Sequence, residues 1–141
     1  MTTPTEGALA ASVHARSESK YAVKTSVRRH RVSADEPIDR GGGDTAPTPL
    51  ELLATGLAAC TAITLRMYAE RKGWELGTVK VDCRAVVEGA GYRFERSIRI
   101  AAPLADAQRA RLGEIAEKTP VTRIVKAGAP ITTDISGHSG T

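Results

Sequence analysis

The chain has 141 residues, 41% of them apolar and 26% charged, an ordinary globular composition that excludes a fibrous repeat or global disorder. That length fits one domain, 1–141, with 1–7 and 136–141 expected to be frayed. The formal charge of +4 is modest, and acidic residues are interleaved with basic ones along most of the chain, so charge alone makes no case for nucleic acid.

Taken in chain order, the first third reads as strands over Leu9–Ala15, Tyr21–Val27 and His30–Ala34, with short polar breaks. The stretch Met1–Lys20 has no basic segment followed by a continuous apolar run. It does not read as a secretory signal, and a cytoplasmic protein is expected. Asp35–Thr48 is rich in Pro and Gly, with Gly41-Gly42-Gly43 reading as a hinge in a surface loop.

At Thr48-Pro49-Leu50-Glu51 a helix begins, with Thr at the N-cap, Pro at the first helical position and Glu three residues after the cap. It runs to Lys72, before Gly73 in the place of a left-handed C-terminal residue. Between Leu52 and Ala69 the only charge is Arg66, so the helix is expected to be enclosed on most sides. About 20 apolar residues would also cross a bilayer. Thr55, Gly56, Thr61 and Thr64 dilute the hydrophobicity, which favours the core of a soluble dimer over a membrane span.

Two strands follow, Thr78–Glu88 and Tyr92–Ala101, joined by Gly89-Ala90-Gly91. In the first, Val79, Val81, Cys83, Ala85 and Val87 share the apolar face. In the second, Phe94, Ser97 and Arg99 interrupt the alternation. A second helix is expected over about 105–118, ending at Pro120, with Thr119 turned inward. Ile131–Ile135 can add a last strand, and strands, long helix, hairpin, helix and strand make an α+β order.

Several residue types bear on chemistry. Cys60 and Cys83, in a chain with no export signal, are expected to be reduced thiols. Cys60 sits mid-helix, where spacing alone makes it a small buried hydrophobe, and it is too far from the helix N-terminus to gain from the dipole. A reactive thiolate there needs a nearby cation, because free Cys has a pKa near ~8.5 and burial raises it. Glu51 reads first as the reciprocal arm of a capping box. It lies nine residues before Cys60, about 900° of rotation and 13.5 Å of rise on one helix, which puts the two on opposite faces. If both serve one site, either the helix breaks or the site joins two subunits. Arg40, in the Gly-rich loop, can fold back as the cation beside a thiolate, although loop arginines are mostly solvated. Gly41-Gly42-Gly43-Asp44 lacks the lysine and spacing of a phosphate-binding loop. Strand alternation would split Arg28-Arg29-His30-Arg31 between two faces, and no aromatic residues interleave, so a solvated strand end is expected there. His14, His30 and His138 have no metal-ligand spacing, and neither a metal site nor a cofactor is expected.

The run Asp35-Glu36-Pro37, Gly41-Gly42-Gly43-Asp44, Pro47-Thr48-Pro49-Leu50-Glu51-Leu52-Leu53 and Leu57-Ala58-Ala59-Cys60-Thr61, continued by Thr64-Leu65-Arg66-Met67-Tyr68-Ala69-Glu70-Arg71-Lys72-Gly73-Trp74, resembles the OsmC/Ohr family. Gln108-Arg109-Ala110-Arg111-Leu112 and Ile115-Ala116-Glu117-Lys118-Thr119-Pro120-Val121 resemble it as well, so the likeness runs from about residue 20 onward. The resemblance implies an intertwined α+β homodimer with its sites at the subunit interface. It also implies thiol-dependent reduction of hydroperoxides in oxidative-stress defence, with an external thiol as reductant; from charge and composition, neither nucleic acid nor membrane is expected as a partner. Cys60 matches the family's peroxidatic cysteine, Glu51 its acidic residue, and Arg40, by its distance from Glu51, the arginine that neutralises the thiolate. The chain departs from the pattern at the second cysteine, whose Lys-Cys-Pro-Val position is Thr119 here. A hydroxyl closes no disulfide, so a one-cysteine cycle is expected. Cys83 can substitute only by leaving the apolar face of its strand. The alternative is a non-catalytic family member that binds a small apolar ligand at the dimer interface, with Cys60 as packing.

Overall fold

The computed structural model describes residues 4–137. The outermost parts of the expected frayed ends and the third histidine, His138, lie outside the described residues. The chain divides into two compact units, 1–55 with 85–94, and 56–84 with 95–141. The expected α+β class holds: antiparallel sheets are combined with three helices.

In the first unit, β1 (His14–Ser17), β2 (Val23–Val27) and β3 (His30–Ala34) form an antiparallel sheet in the order β1-β2-β3. The register pairs Ser17 with Val23 and Val23 with Ala34. Of the expected strand Leu9–Ala15 only the last two residues pair; Leu9 and Val13, which an extended strand would place on one face, are both exposed. After a short 3-10 turn, Ile38–Arg40, the glycine loop is tied down rather than hinged. Gly42 N–H donates to Pro37 O and Asp44 N–H to Glu36 O, both at 3.0 Å. The Asp35 carboxylate accepts from Glu36 N–H at 2.7 Å, Thr45 N–H at 3.0 Å and the Thr45 hydroxyl at 2.6 Å. These bonds hold its pKa down to about 2, the Thr45 hydroxyl contributing most.

Helix α1 spans Pro49–Lys72, the range its start and stop signals specify. Thr48 Oγ1 accepts from Glu51 N–H at 3.1 Å while Glu51 Oε1 accepts from Thr48 N–H at 2.8 Å, closing the capping box. At the other end Gly73 adopts φ +71, the left-handed conformation that glycine takes without a Cβ penalty. The expected enclosure on most sides is not what the single chain shows. Leu57, Thr61, Thr64, Leu65 and Ala69 are buried, whereas Leu53, Ile63 and Met67 are each about half exposed. By length and composition α1 could also cross a membrane.

In the second unit Leu65 and Ala69 pack with Leu76, Leu112 and Ala116, flanked by Tyr68, Trp74, Val79, Ile98, Ile100, Leu104 and Ile115. This core joins α1 to the hairpin strands β4 (Val79–Glu88) and β5 (Gly91–Ile100) and to helix α2 (Asp106–Ala116). Along β4 the predicted inward set is half-buried through Ala85, but Val87 is exposed: the alternation slips at Val86. On β5 the inward positions are Phe94, Arg96, Ile98 and Ile100. Ser97 and Arg99 therefore keep the alternation; what breaks the apolar pattern is an arginine on the inner face.

Beyond α2 the expected stop at Pro120 is also a start. Helix α3, Pro120–Ala127, has Thr119 at its N-cap and Pro120 at its first position, the device that opens α1. Ile131–Ile135 forms no strand; both isoleucines are 88% exposed and no described strand pairs with the segment.

Candidate active site

Cys60 is half-buried on α1, with Sγ 3.9 Å from Thr64 Oγ1. At about 100° per residue, Leu53, Gly56, Cys60, Ile63 and Met67 fall within an arc of about 80°. The candidate thiol therefore lies on the apolar stripe that the single chain leaves open, about opposite the Leu65 and Ala69 stripe. Glu51 belongs to the same unbroken helix and is held in the capping box. A helix that does not break removes one of the two ways Glu51 and Cys60 can share a site. Arg40 closes the 3-10 turn of the glycine loop and is exposed.

Thr119 is fully buried, as expected, and it belongs to a polar cluster that sequence reasoning missed. The organiser is Arg96, whose side chain is only 12% exposed. Its Nη1 donates to Thr61 Oγ1 at 2.9 Å and to Thr122 Oγ1 at 2.8 Å; its Nη2 donates to Ala116 O and Glu117 Oε2, both at 3.1 Å. Thr61 Oγ1 donates to Leu57 O at 2.7 Å, and Thr122 Oγ1 lies within donating reach of Ala116 O at 3.3 Å. The Thr119 and Thr122 hydroxyls share a 2.7 Å hydrogen bond, and Thr119 Oγ1 accepts the Thr122 N–H at 3.1 Å. Three hydrogen bonds thus connect Thr119 to Thr61, the residue after Cys60. Glu117, bonded to Lys126 and Arg96, has its pKa lowered, chiefly by Lys126. A signal for the cluster existed in the alternation of β5, which turns Arg96 inward among apolar residues, where an arginine must be paired.

Cys83 is half-buried on the inner side of β4. Burial pushes its thiol pKa up, and the positive charge of Arg96 opposes that shift without cancelling it. A thiol so placed is protonated at neutral pH, which fits packing better than redox exchange.

A half-buried thiol on an open apolar stripe, beside an α+β core, defines the class of fold and site. The family model described as OsmC-like protein matches residues 41–134, and the chain belongs to the OsmC-like protein family. Solved structures share the fold. An OsmC like protein from Mycoplasma pneumoniae superposes with TM-score 0.72 at 15% identity, covering 84% of this chain and 88% of that one. An organic hydroperoxide resistance protein OsmC from Legionella pneumophila gives 0.64 at 18% identity, covering 86% and 92%. The organic hydroperoxide resistance protein OhrB of Bacillus subtilis gives 0.61 at 19% identity, covering 85% and 93%. No curated protein sequence matches significantly.

Proposed function

We propose that this protein is a cytoplasmic, homodimeric thiol peroxidase of oxidative-stress defence, reducing hydroperoxides with one reactive cysteine, Cys60. The family match, which spans both Cys60 and Thr119, carries the reading. In the proposed cycle the Cys60 thiolate attacks the terminal oxygen of the hydroperoxide. The O–O bond breaks, the alkoxide leaves and takes up a proton, and the sulfur becomes a sulfenic acid. An external thiol then attacks that sulfur, water leaves, and a second equivalent of thiol releases Cys60 and carries away the disulfide. The hydroperoxide is reduced by two electrons to alcohol and water, and two thiols are oxidised. Arg40 is assigned to the thiolate's charge and Glu51 to orienting that arginine.

Two observations support the dimeric, one-cysteine form. Cys60 lies on the apolar stripe of α1 that a second copy would cover, and Glu51 lies on the far side of the same helix. Thr119, at the family's second-cysteine position, is committed to hydrogen bonds with Thr122 and can form no disulfide.

Brief exposure of the reduced protein to stoichiometric cumene hydroperoxide with a sulfenic-acid trap, followed by peptide mapping, tests the reading. Labelling confined to Cys60, abolished in Cys60→Ser with the dimer intact, is expected. An unlabelled Cys60, or full turnover by Cys60→Ser, would leave the chain as a ligand-binding family member in which Cys60 is packing.

A further inference from the structure

The three-stranded sheet has two chemically different faces, and its register shows this more clearly than the sequence does. Directly opposed residues of antiparallel strands share a face. Ser17, Val23 and Ala34 therefore line up on one side, as do Ala15, Thr25 and Val32. On the other side Arg16, Lys24 and Ser33 form one row, and His14, Ser26 and Arg31 form the next. No Asp or Glu occurs in the three strands. The turn of the β2–β3 hairpin, Arg28-Arg29, adds two exposed cations at the end of the sheet next to the row of Arg31.

Charge along the chain is less even than its interleaving suggests. Residues 1–34 hold six of the 20 Lys and Arg and two of the 16 Asp and Glu, so the whole formal excess of +4 lies there and the remainder is neutral. Two features of the basic face work against stability. Arg16 and Lys24 stand directly opposite each other, a like-charge pairing that weakens a sheet, relieved only by Glu18 at 3.7 Å from Arg16. Arg28 takes φ +53 in a two-residue turn where glycine or asparagine fits without strain. Among the described residues Lys24, Arg28, Arg29 and Arg31 form no ion pair.

We infer that this face is a docking surface for an acidic segment of another protein, an extended stretch bearing several carboxylates. The guanidinium groups of Arg16, Arg28, Arg29 and Arg31 suit bidentate contact with carboxylates, and the Ser26 and Ser33 hydroxyls add donors between them. Strands about 4.8 Å apart and about 3.4 Å of rise per residue give a face about 10 Å by 14 Å, the footprint of about four extended residues. That is far below the roughly 1,000 Å² of a specific protein–DNA interface, and no Phe, Tyr or Trp stands on the face to stack a base. The inference is independent of the chemistry at Cys60.

The test is fluorescence anisotropy of labelled hexaglutamate titrated with the full-length protein at low ionic strength. Saturable binding is expected, lost at ~0.5 M salt. Arg16→Glu/Arg31→Glu should weaken it by about tenfold or more, while Lys80→Glu/Arg109→Glu, which changes net charge equally on exposed sites elsewhere, should stay within about twofold. Arg28→Gly, which relieves the turn, should weaken binding without lowering Tm, so that loss of binding cannot be ascribed to loss of fold. Equal losses from the two reversals, or no binding by the wild type, would overturn the inference. Tighter binding of single-stranded DNA than of the peptide, sensitive to the same face variants, would overturn the acidic segment as occupant.

Discussion

Replacing Arg96 by Met keeps most of the aliphatic stem and removes the guanidinium that ties α1, the end of α2 and α3 together. Three of the four acceptors are buried: Thr61 at 0% exposure, Thr122 at 3% and the Ala116 carbonyl in a residue at 2%. The fourth, Glu117, is 57% exposed and its ion pair contributes little. Each buried acceptor loses a donor at about 1 kcal/mol, and each keeps a second role, Thr61 donating to Leu57 O and Ala116 O accepting from Thr122. Relief of the arginine's desolvation offsets part of the loss, so Arg96→Met should destabilise by about 2–3 kcal/mol. Arg96→Lys, a point charge without the planar fork, should recover less than half. Urea unfolding at one fixed protein concentration measures this, since subunit association would make the midpoint depend on concentration. Thr61→Val should cost about 1–2 kcal/mol and couple to Arg96→Met by at least ~0.5 kcal/mol in a double-mutant cycle, whereas Thr61→Ser should be nearly neutral. An Arg96→Met protein within ~0.5 kcal/mol of wild type, or additive single variants, would show that the cluster does not tie the helices together.

The glycine loop and α2 give a matched pair: a Cβ at Gly42 would stand 1.9 Å from the Glu36 carbonyl oxygen, and one at Gly113 would meet nothing within 4 Å. Gly42→Ala should therefore lower stability by about 2 kcal/mol or more, and Gly113→Ala should raise it by about 0.5–1 kcal/mol, both read as shifts in Tm; equal effects would contradict the loop geometry. Asp35 has a folded pKa of about 2 against an ordinary 3.8, so its contribution is complete above about pH 4 and disappears as pH falls toward 2. Thermal melts of wild type and Asp35→Asn should therefore differ most above pH 4 and converge toward pH 2; a gap that widens on acidification would reverse the sign and refute the assignment.

What could be read in advance was whatever short-range chemistry determines. The limits of α1 follow from Thr48, Pro49, Glu51 and Gly73, each acting within one turn, and the structure reproduces both ends. The same rule holds at Thr119-Pro120, where proline stops the helix before it and also opens the one after it, so a terminator signal hides a start. Ile131–Ile135 failed for a different reason: its pattern suits a strand, but a strand exists only against an edge, and no local signal says whether an edge is available. The hydroxyl cluster was invisible because Thr61, Arg96, Thr119 and Thr122 converge from segments far apart in the chain. Cys60, Glu51, Arg40 and Thr119 were found by resemblance, while spacing alone assigned Glu51 to the cap where it indeed sits.

The placement of the cluster bears on how a one-cysteine cycle would work. A redox-active second thiol must let its segment move, because sulfur reaches sulfur at about 2.05 Å only when the two Cα atoms approach within about 7 Å. Here the corresponding residue is the N-cap of α3, and its hydroxyl both accepts from the helix backbone and hydrogen-bonds Thr122 in a network anchored on Arg96. Thr119→Cys would exchange a strong cap for a weak one and weaken the bond to Thr122. The expected result is a loss of about 1–2 kcal/mol in unfolding free energy. Non-reducing mass spectrometry after hydroperoxide treatment then separates two explanations for the threonine. A Thr119→Cys protein that closes a disulfide between Cys60 and the introduced thiol as fast as Cys60 oxidises would mean that the segment moves freely and that only the missing sulfur makes the cycle one-cysteine. Accumulation of trapped sulfenic acid at Cys60 with a slow or absent disulfide is the outcome the network leads us to expect. In that case the resolving segment has been recruited as structure, and reduction of Cys60 must come from outside the chain.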